Sequence, residues 1–255
     1  MFKKIFMMAV LALLVSVLAF GTANLTLAKG GNPGNAAGQA GSGYAGLAVL
    51  QSTTPADLDA QESAALLYMR EEEKLAHDLY VTFASKWDLP IFQNISQAEQ
   101  THMDAVKVLI DRYGLSDPAS SQLGKFTNPD LQALYNELVV QGDKSLADAL
   151  KAGALVEETD IRDLQTRLAQ TDNADIQQVF GNLLNASSHH LRAFTTMLST
   201  QAGETYQPQV LSAAAYQTAL SQGMGHGGNG ANGGNGMRGY ASGTCDGSGR
   251  RGGRP

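Results

Sequence analysis

Ser96-Gln97-Ala98-Glu99-Gln100-Thr101-His102-Met103-Asp104-Ala105-Val106-Lys107-Val108-Leu109-Ile110 is the run on which the fold turns. Ile95, His102, Val106, Leu109 and Tyr113 recur at steps of seven, four, three and four. That spacing predicts an amphipathic helix with these residues on one face. Glu99 and His102 share the face, because residues three apart on a helix are neighbours. A carboxylate and an imidazole among aliphatic side chains are costly without a partner. A metal ion suits both. A simpler reading of the same stretch is a capping box, in which Ser96 opens the helix and Glu99 only satisfies a backbone donor. The other helices decide between the two.

Working outward, the apolar stripes of three more segments carry acids or histidines in phase. In the first, Leu66, Met69, Glu73, Ala76, Tyr80 and Phe83 step by three and four, so Glu73 is inward. Glu72 lies at the border of the stripe, and Glu71 points away as part of a solvated charge cluster. Further on, Leu150, Ala154, Glu157, Ile161, Leu164 and Leu168 place Glu157 inward, with Glu158 and Asp160 as further candidate carboxylates. Near the end, Leu183, Ser187, His190, Phe194 and Met197 share a stripe, which makes His190 inward and His189 a sideways, surface residue. The candidate metal ligands are therefore Glu73, Glu99, His102, Glu157 and His190, with Glu158 and Asp160 beside them. Mixed oxygen and nitrogen donors suit iron or manganese, and zinc also fits. No cysteine falls in this region, which argues against an iron–sulfur centre.

Helix signals fill in the architecture. Thr54-Pro55 reads as a helix start, and that helix runs to about Trp87, before Leu89-Pro90. The second covers about Ile95 to Tyr113 and stops at Gly114. Asn128-Pro129-Asp130 opens a short helix to about Val140. Ser145 caps another to about Gln170, and Asn173 opens the last, to about Thr200. No alternating β-branched run bounded by turns predicts a strand. The expected fold is all-α: an antiparallel four-helix bundle with one long crossover that holds a short extra helix.

These segments resemble a ferritin-like, rubrerythrin-related domain, and most closely a branch known as a domain of unknown function in bacterial and archaeal proteins. The carrying stretches are Tyr68 to Ala76, Ile95 to Val106, Val156 to Ile161 and His189 to Phe194, so the likeness covers about 60–200. Glu73, Ala76 and Tyr80 match the family's first helix, and Glu99 and His102 match its Glu-x-x-His. Glu157 matches the inward Glu of its third helix, and His190 the histidine of its last. Ser187 stands where that last helix has a Glu. The resemblance implies a dinuclear site, usually iron, that meets oxygen or peroxide, with Arg70, Arg192 and tyrosines around it. Two function classes follow: an oxidase- or peroxidase-type enzyme, and a non-catalytic protein that binds or handles iron.

The ends of the chain read differently. Lys3-Lys4, the apolar run Ile5 to Phe20 and small residues to Ala28 form a signal peptide over 1–28. That predicts an exported protein, periplasmic or extracellular, with an uncleaved N-terminal anchor as the alternative. Once the signal is cut, no further apolar run is long enough for stable membrane insertion. Residues 29–53 read as a flexible linker, 54–200 as the bundle and 201–255 as a Gly-rich disordered tail. Residues 29–200 carry 12 Lys/Arg against 22 Asp/Glu, a formal balance of −10. An acidic domain argues against nucleic acid as the main partner. Cys245 is the single cysteine, so no intramolecular disulfide forms. The oligomeric state stays open, a dimer included.

Overall fold

The computed structural model describes residues 56–222. The expected signal peptide and linker, the expected Thr54-Pro55 helix start and the Gly-rich segment with Cys245 lie outside the described residues. Within them the chain is all-helical, with six helices and no strand: α1 Ala60–Trp87, α2 Pro90–Arg112, α3 Pro129–Gly142, α4 Leu146–Leu168, α5 Ala174–Ala202 and α6 Ala213–Gln222. None of these helices is long and apolar enough to cross a membrane.

The helix starts follow local chemistry. Asp59 caps α1, accepting from the Glu62 amide at 2.7 Å while Glu62 accepts from the Asp59 amide at 3.1 Å. Asp88 takes a left-handed conformation with φ 43° and turns the chain directly into Pro90, the first residue of α2. Thus α2 begins five residues before the expected Ile95, and Ser96 lies inside it, its hydroxyl donating to the Gln93 carbonyl at 2.9 Å. The capping-box reading of Ser96 and Glu99 is thereby overturned. Asn128 and Ser145 cap α3 and α4 as their sequence predicts.

Two apolar clusters organise the four long helices. One takes Leu79 and Phe83 of α1, Phe92 and Ile95 of α2, Leu150 and Ala154 of α4, and Phe194 and Leu198 of α5. The other takes Leu66 and Met69, then Val106 and Leu109, then Leu164, then Phe180 and Leu183. Helices α1 and α5 therefore run from the second cluster to the first, while α2 and α4 run the opposite way. The packed pairs α1/α2, α4/α5, α1/α4 and α2/α5 are all antiparallel. Because α2 and α4 point the same way, residues 113–145 must travel back along the helices, and α3 lies in that return.

The return is tied down by α1. Arg70 pairs with Asp117 at 3.1 Å, Lys74 donates to the Gln122 carbonyl at 3.0 Å and Asp78 accepts from the Gly124 amide at 2.7 Å. Glu71 accepts from the amides of Thr127 and Asn128 at 2.5 and 2.9 Å. The expectation that Glu71 is solvated is thus wrong: it is buried, and it satisfies amides at the start of α3.

Residues 201–222 also depart from the expected disordered tail. Gly203, with φ 67°, ends α5, and the chain then straps back over the helices as far as α6. Tyr206, Tyr216 and Ala219 are buried. The strap is held at Glu158, which is fully buried and accepts from the Tyr206 hydroxyl at 2.7 Å. It also accepts from the amides of Gln209, Val210 and Leu211 at 2.9, 2.7 and 2.6 Å. A buried carboxylate that loses its donors costs roughly 3 kcal/mol or more. Ending the chain at Gly203 should therefore lower the urea midpoint clearly relative to a chain ending at Gln222. Equal midpoints would show that the strap contributes nothing to stability.

Candidate metal centre

Each long helix crosses from one apolar cluster to the other, and at the crossing it carries polar side chains. On α1 Glu73 lies between Met69 and Ala76. On α2 Glu99 and His102 lie between Ile95 and Val106. Glu157 and Asp160 lie between Ala154 and Leu164 of α4, and Ser187 and His190 between Leu183 and Phe194 of α5. The structure brings these residues into one layer. Glu73, Glu99, Glu157 and His102 are 1–4% exposed. The His190 side chain is 13% exposed, the layer's edge towards solvent.

Glu99 is the hub. Its Oε2 is 2.7 Å from His102 Nδ1 and its Oε1 is 2.8 Å from His190 Nδ1. Glu73 Oε2 lies 3.2 Å from His102 Nδ1, and Glu157 Oε2 lies 3.6 Å from His190 Nδ1. Two ligand groups result, Glu73–Glu99–His102 and Glu99–Glu157–His190, each with its donor atoms within 4.8 Å of one another. The imidazoles stack at 5.5 Å between centroids.

Neighbours orient the ligands. The Tyr80 hydroxyl donates to Glu157 Oε1 at 2.6 Å, and the Tyr80 ring packs on Phe194 at 5.0 Å. Gly153 permits this: a Cβ there would come within 2.7 Å of the Phe194 ring. Asp160 joins the layer, and its Oδ2 accepts from the Ser187 hydroxyl at 2.5 Å. Ser187 of α5 is thus faced by a carboxylate from α4. Glu158, by contrast, turns away into the strap and is not near the imidazoles. Arg70 is also directed elsewhere, to Asp117.

The electrostatics are those of an interior crowded with acids. Burial pushes Glu73 up to about 7, against the hydrogen bond from His102. Burial and the charge of Glu99 raise Glu157, and burial with Glu73 and Glu72 raises Asp160 well above the usual carboxylate range. Glu99 goes the other way: burial opposes its charge, but the two imidazoles hold it well below that range. Burial also opposes charging of the histidines, yet Glu99 and Glu157 lift His190 to about 10, and Glu99 and Glu73 lift His102 well above 6.5. Without a metal, protons on the imidazoles partly balance the acids. Glu73 Oε1, Glu99 Oε1, Asp160 Oδ1 and His190 Nδ1 have no hydrogen-bond partner in this layer, and outside it the same holds of both oxygens of Glu72, Arg70 Nη1 and Arg167 Nε. Buried acceptors are normally paired, so this donor set fits a bound cation. Sequence periodicity put Glu72 at a border, and helical phase alone did not reveal its burial.

The family described as an uncharacterized protein domain, DUF2202, matches residues 62–223. An uncharacterized protein of Methanocaldococcus jannaschii, MJ0754, is 45% identical over 184 residues, 72% of this chain and 99% of that protein. The crystal structure of the hypothetical protein MJ0754 superposes with a TM-score of 0.65 at 46% identity, covering 67% of this chain and 97% of that one. With a family match over more than half its length and a relative this similar, the chain belongs to the family of the uncharacterized protein domain DUF2202.

Proposed function

We propose that this protein is an exported metalloprotein whose four long helices form a ferritin-like bundle around two metal ions, iron first and manganese or zinc as alternatives. The carrying observation is the pair of carboxylate–imidazole groups that share Glu99. One ion would take Glu73, Glu99 and His102. The other would take Glu99, Glu157 and His190. Asp160 would supply the carboxylate that Ser187 does not, held by the Ser187 hydroxyl. A pair of iron ions would supply redox chemistry towards oxygen or peroxide. Around that pair Tyr80 orients Glu157, the two apolar clusters exclude water, and small molecules meet the centre at the edge of His190. A non-catalytic iron-handling role is the second reading, favoured by how closed the layer is.

Metal that binds only the folded chain stabilises it by about 2.7 kcal/mol at a hundredfold excess over Kd. For a domain of this size that corresponds to roughly 5 °C or more in Tm. Chelation should therefore lower the Tm of the wild type. Glu99→Ala or His102→Ala should remove most of the metal found by elemental analysis, and chelation should then change little. His189→Ala, outside both ligand groups, should keep its metal. Full metal content in the Glu99 and His102 variants would remove the centre from this layer. Peroxide turnover by the loaded wild type separates the enzyme from the metal-handling protein.

Stability of the metal-free protein should depend on pH with a defined sign. His190 has its folded value raised from 6.5 to about 10. Its contribution is complete below about 6.5 and is lost as pH rises towards 10. Glu73, raised from 4.5 to about 7, also makes stability fall as pH rises between those values. The chelated protein should therefore melt lower at pH 9 than at pH 6, and metal loading near neutral pH should release protons. A chelated Tm that is equal or higher at pH 9 would contradict this charge arrangement.

Export is checked at the N-terminus. Mature protein should begin near Asn24 or Lys29, and intact Met1 on cytoplasmic protein would overturn that part of the reading.

A further inference from the structure

The two ligand groups draw on different helices. Around the shared Glu99 and the His102 of α2, Glu73 of α1 completes one; Glu157 of α4 and His190 of α5 complete the other. Glu157 makes the longest approach in the layer. Its Oε2 is 3.6 Å from His190 Nδ1, against 2.7 to 3.2 Å for the other carboxylate–imidazole pairs. That separation depends on where α4 lies against α5 and on how α4 is turned about its own axis.

The strap grips these same two helices. At its exposed edge Glu204 pairs with Lys151 of α4 at 2.5 Å. Two turns further along α4, Glu158 accepts from the Tyr206 hydroxyl and from the successive amides of Gln209, Val210 and Leu211. On the other side, Tyr216 and Ala219 of α6 share an apolar cluster with Leu191, Phe194 and Leu198 of α5. Glu158 follows Glu157 directly, about 100° round the helix. A small rotation of α4 would draw its buried carboxylate off four donors, and hydrogen bonds to a charged group are the strong ones. The strap therefore fixes the rotation of α4. Tyr80 holds Glu157 Oε1 from α1, so Oε2, towards α5, is the atom whose place the strap governs. The Glu73 group has a tie of its own, since Glu71 accepts from the amides of Thr127 and Asn128 in the return segment.

We propose that Glu158 is a positioning residue: by closing the strap on α4 it sets Glu157 against His190, so the ion of the Glu99–Glu157–His190 group is held tightly only while the strap is closed. The ion of the Glu73–Glu99–His102 group is held without it. The inference rests on the two-ion reading above and deepens it, because it makes one ion of the pair the exchangeable one. The dependence must run both ways: an ion that is bound more tightly by the closed strap also favours its closure by the same factor.

The test titrates the full mature chain, previously chelated, with manganese(II) and counts the bound ions. His190→Ala removes a ligand from one group alone, so the step it abolishes belongs to the strap-side ion. Glu158→Gln should weaken that step about tenfold, the lower end of what outer partners of metal ligands contribute, and leave the other step unchanged. Tyr206→Phe removes one donor and keeps the ring, and should weaken the same step about threefold, a fraction of one hydrogen bond to a charged group. Glu71→Gln breaches the other tie and should leave the strap-side step alone, which separates positioning from a general loss of stability. Hydrogen exchange in the unaltered chain gives a second measurement should Glu158→Gln fail to fold. Filling the strap-side group should slow exchange of the Gln209, Val210 and Leu211 amides about tenfold, the factor set by linkage. His190→Ala should abolish that protection while the Thr127 and Asn128 amides behave alike in both proteins. If Glu158→Gln weakens both steps equally or neither, or if two ions bind and the strap amides gain no protection, the inference is overturned and the two-ion centre stands. A wild type that binds fewer than two ions overturns the two-ion reading and this inference with it.

Discussion

Glu99 sits between two imidazoles in the middle of a protein interior, and that contact constrains everything around it. A carboxylate removed from water on all sides is tolerated where opposite charge or hydrogen-bond donors meet it. His102, on its own helix, meets one oxygen at 2.7 Å, and His190, from α5, meets the other at 2.8 Å. Glu73 and Glu157 then press on the same histidines from α1 and α4. Four helices are thus held in register by one polar layer. The apolar clusters on either side cannot slide without dragging buried charge into hydrocarbon, so the layer sets the alignment that the clusters then stabilise.

The segment Arg70-Glu71-Glu72-Glu73-Lys74 shows how one turn of helix serves two faces. Successive residues are about 100° apart, so neighbours in sequence do not share surroundings. Glu73 enters the layer, while Arg70, Glu71 and Lys74 hold the return segment between α2 and α4. Without those contacts the return would leave unsatisfied amides at the start of α3. Glu157 and Glu158 divide in the same way, one into the layer and one into the strap.

Packing next to the layer is as specific as its charges. Tyr80 reaches Glu157 because its ring lies on Phe194, and Phe194 lies close to α4 because Gly153 has no side chain. The hydroxyl of Ser187 is short enough to leave room for Asp160, where a longer acid from α5 would compete for the same space. The polar layer is therefore assembled from compensations between helices, in which a small residue on one admits a larger group from another.

The sequence by itself determined five of the six described helices and most of the layer. Period-3.6 stripes placed Glu73, Glu99, His102, Glu157 and His190 inward, because helical phase is a local property that any single helix reveals. Caps at Asn128 and Ser145 were legible for the same reason. What phase could not show was which neighbour each polar group would meet. Glu71 read as solvated because its partners, the amides of Thr127 and Asn128, come from more than fifty residues away. Glu158, one step off the stripe that Glu157 occupies, stood as a further candidate ligand until the strap claimed it, and residues 204–222 carry too weak an apolar period to announce that they pack. The pairing of Asp160 with Ser187, and the burial of Glu72 with no hydrogen-bond partner, were decided only by tertiary structure, since both depend on the spacing between helices that no single helix encodes.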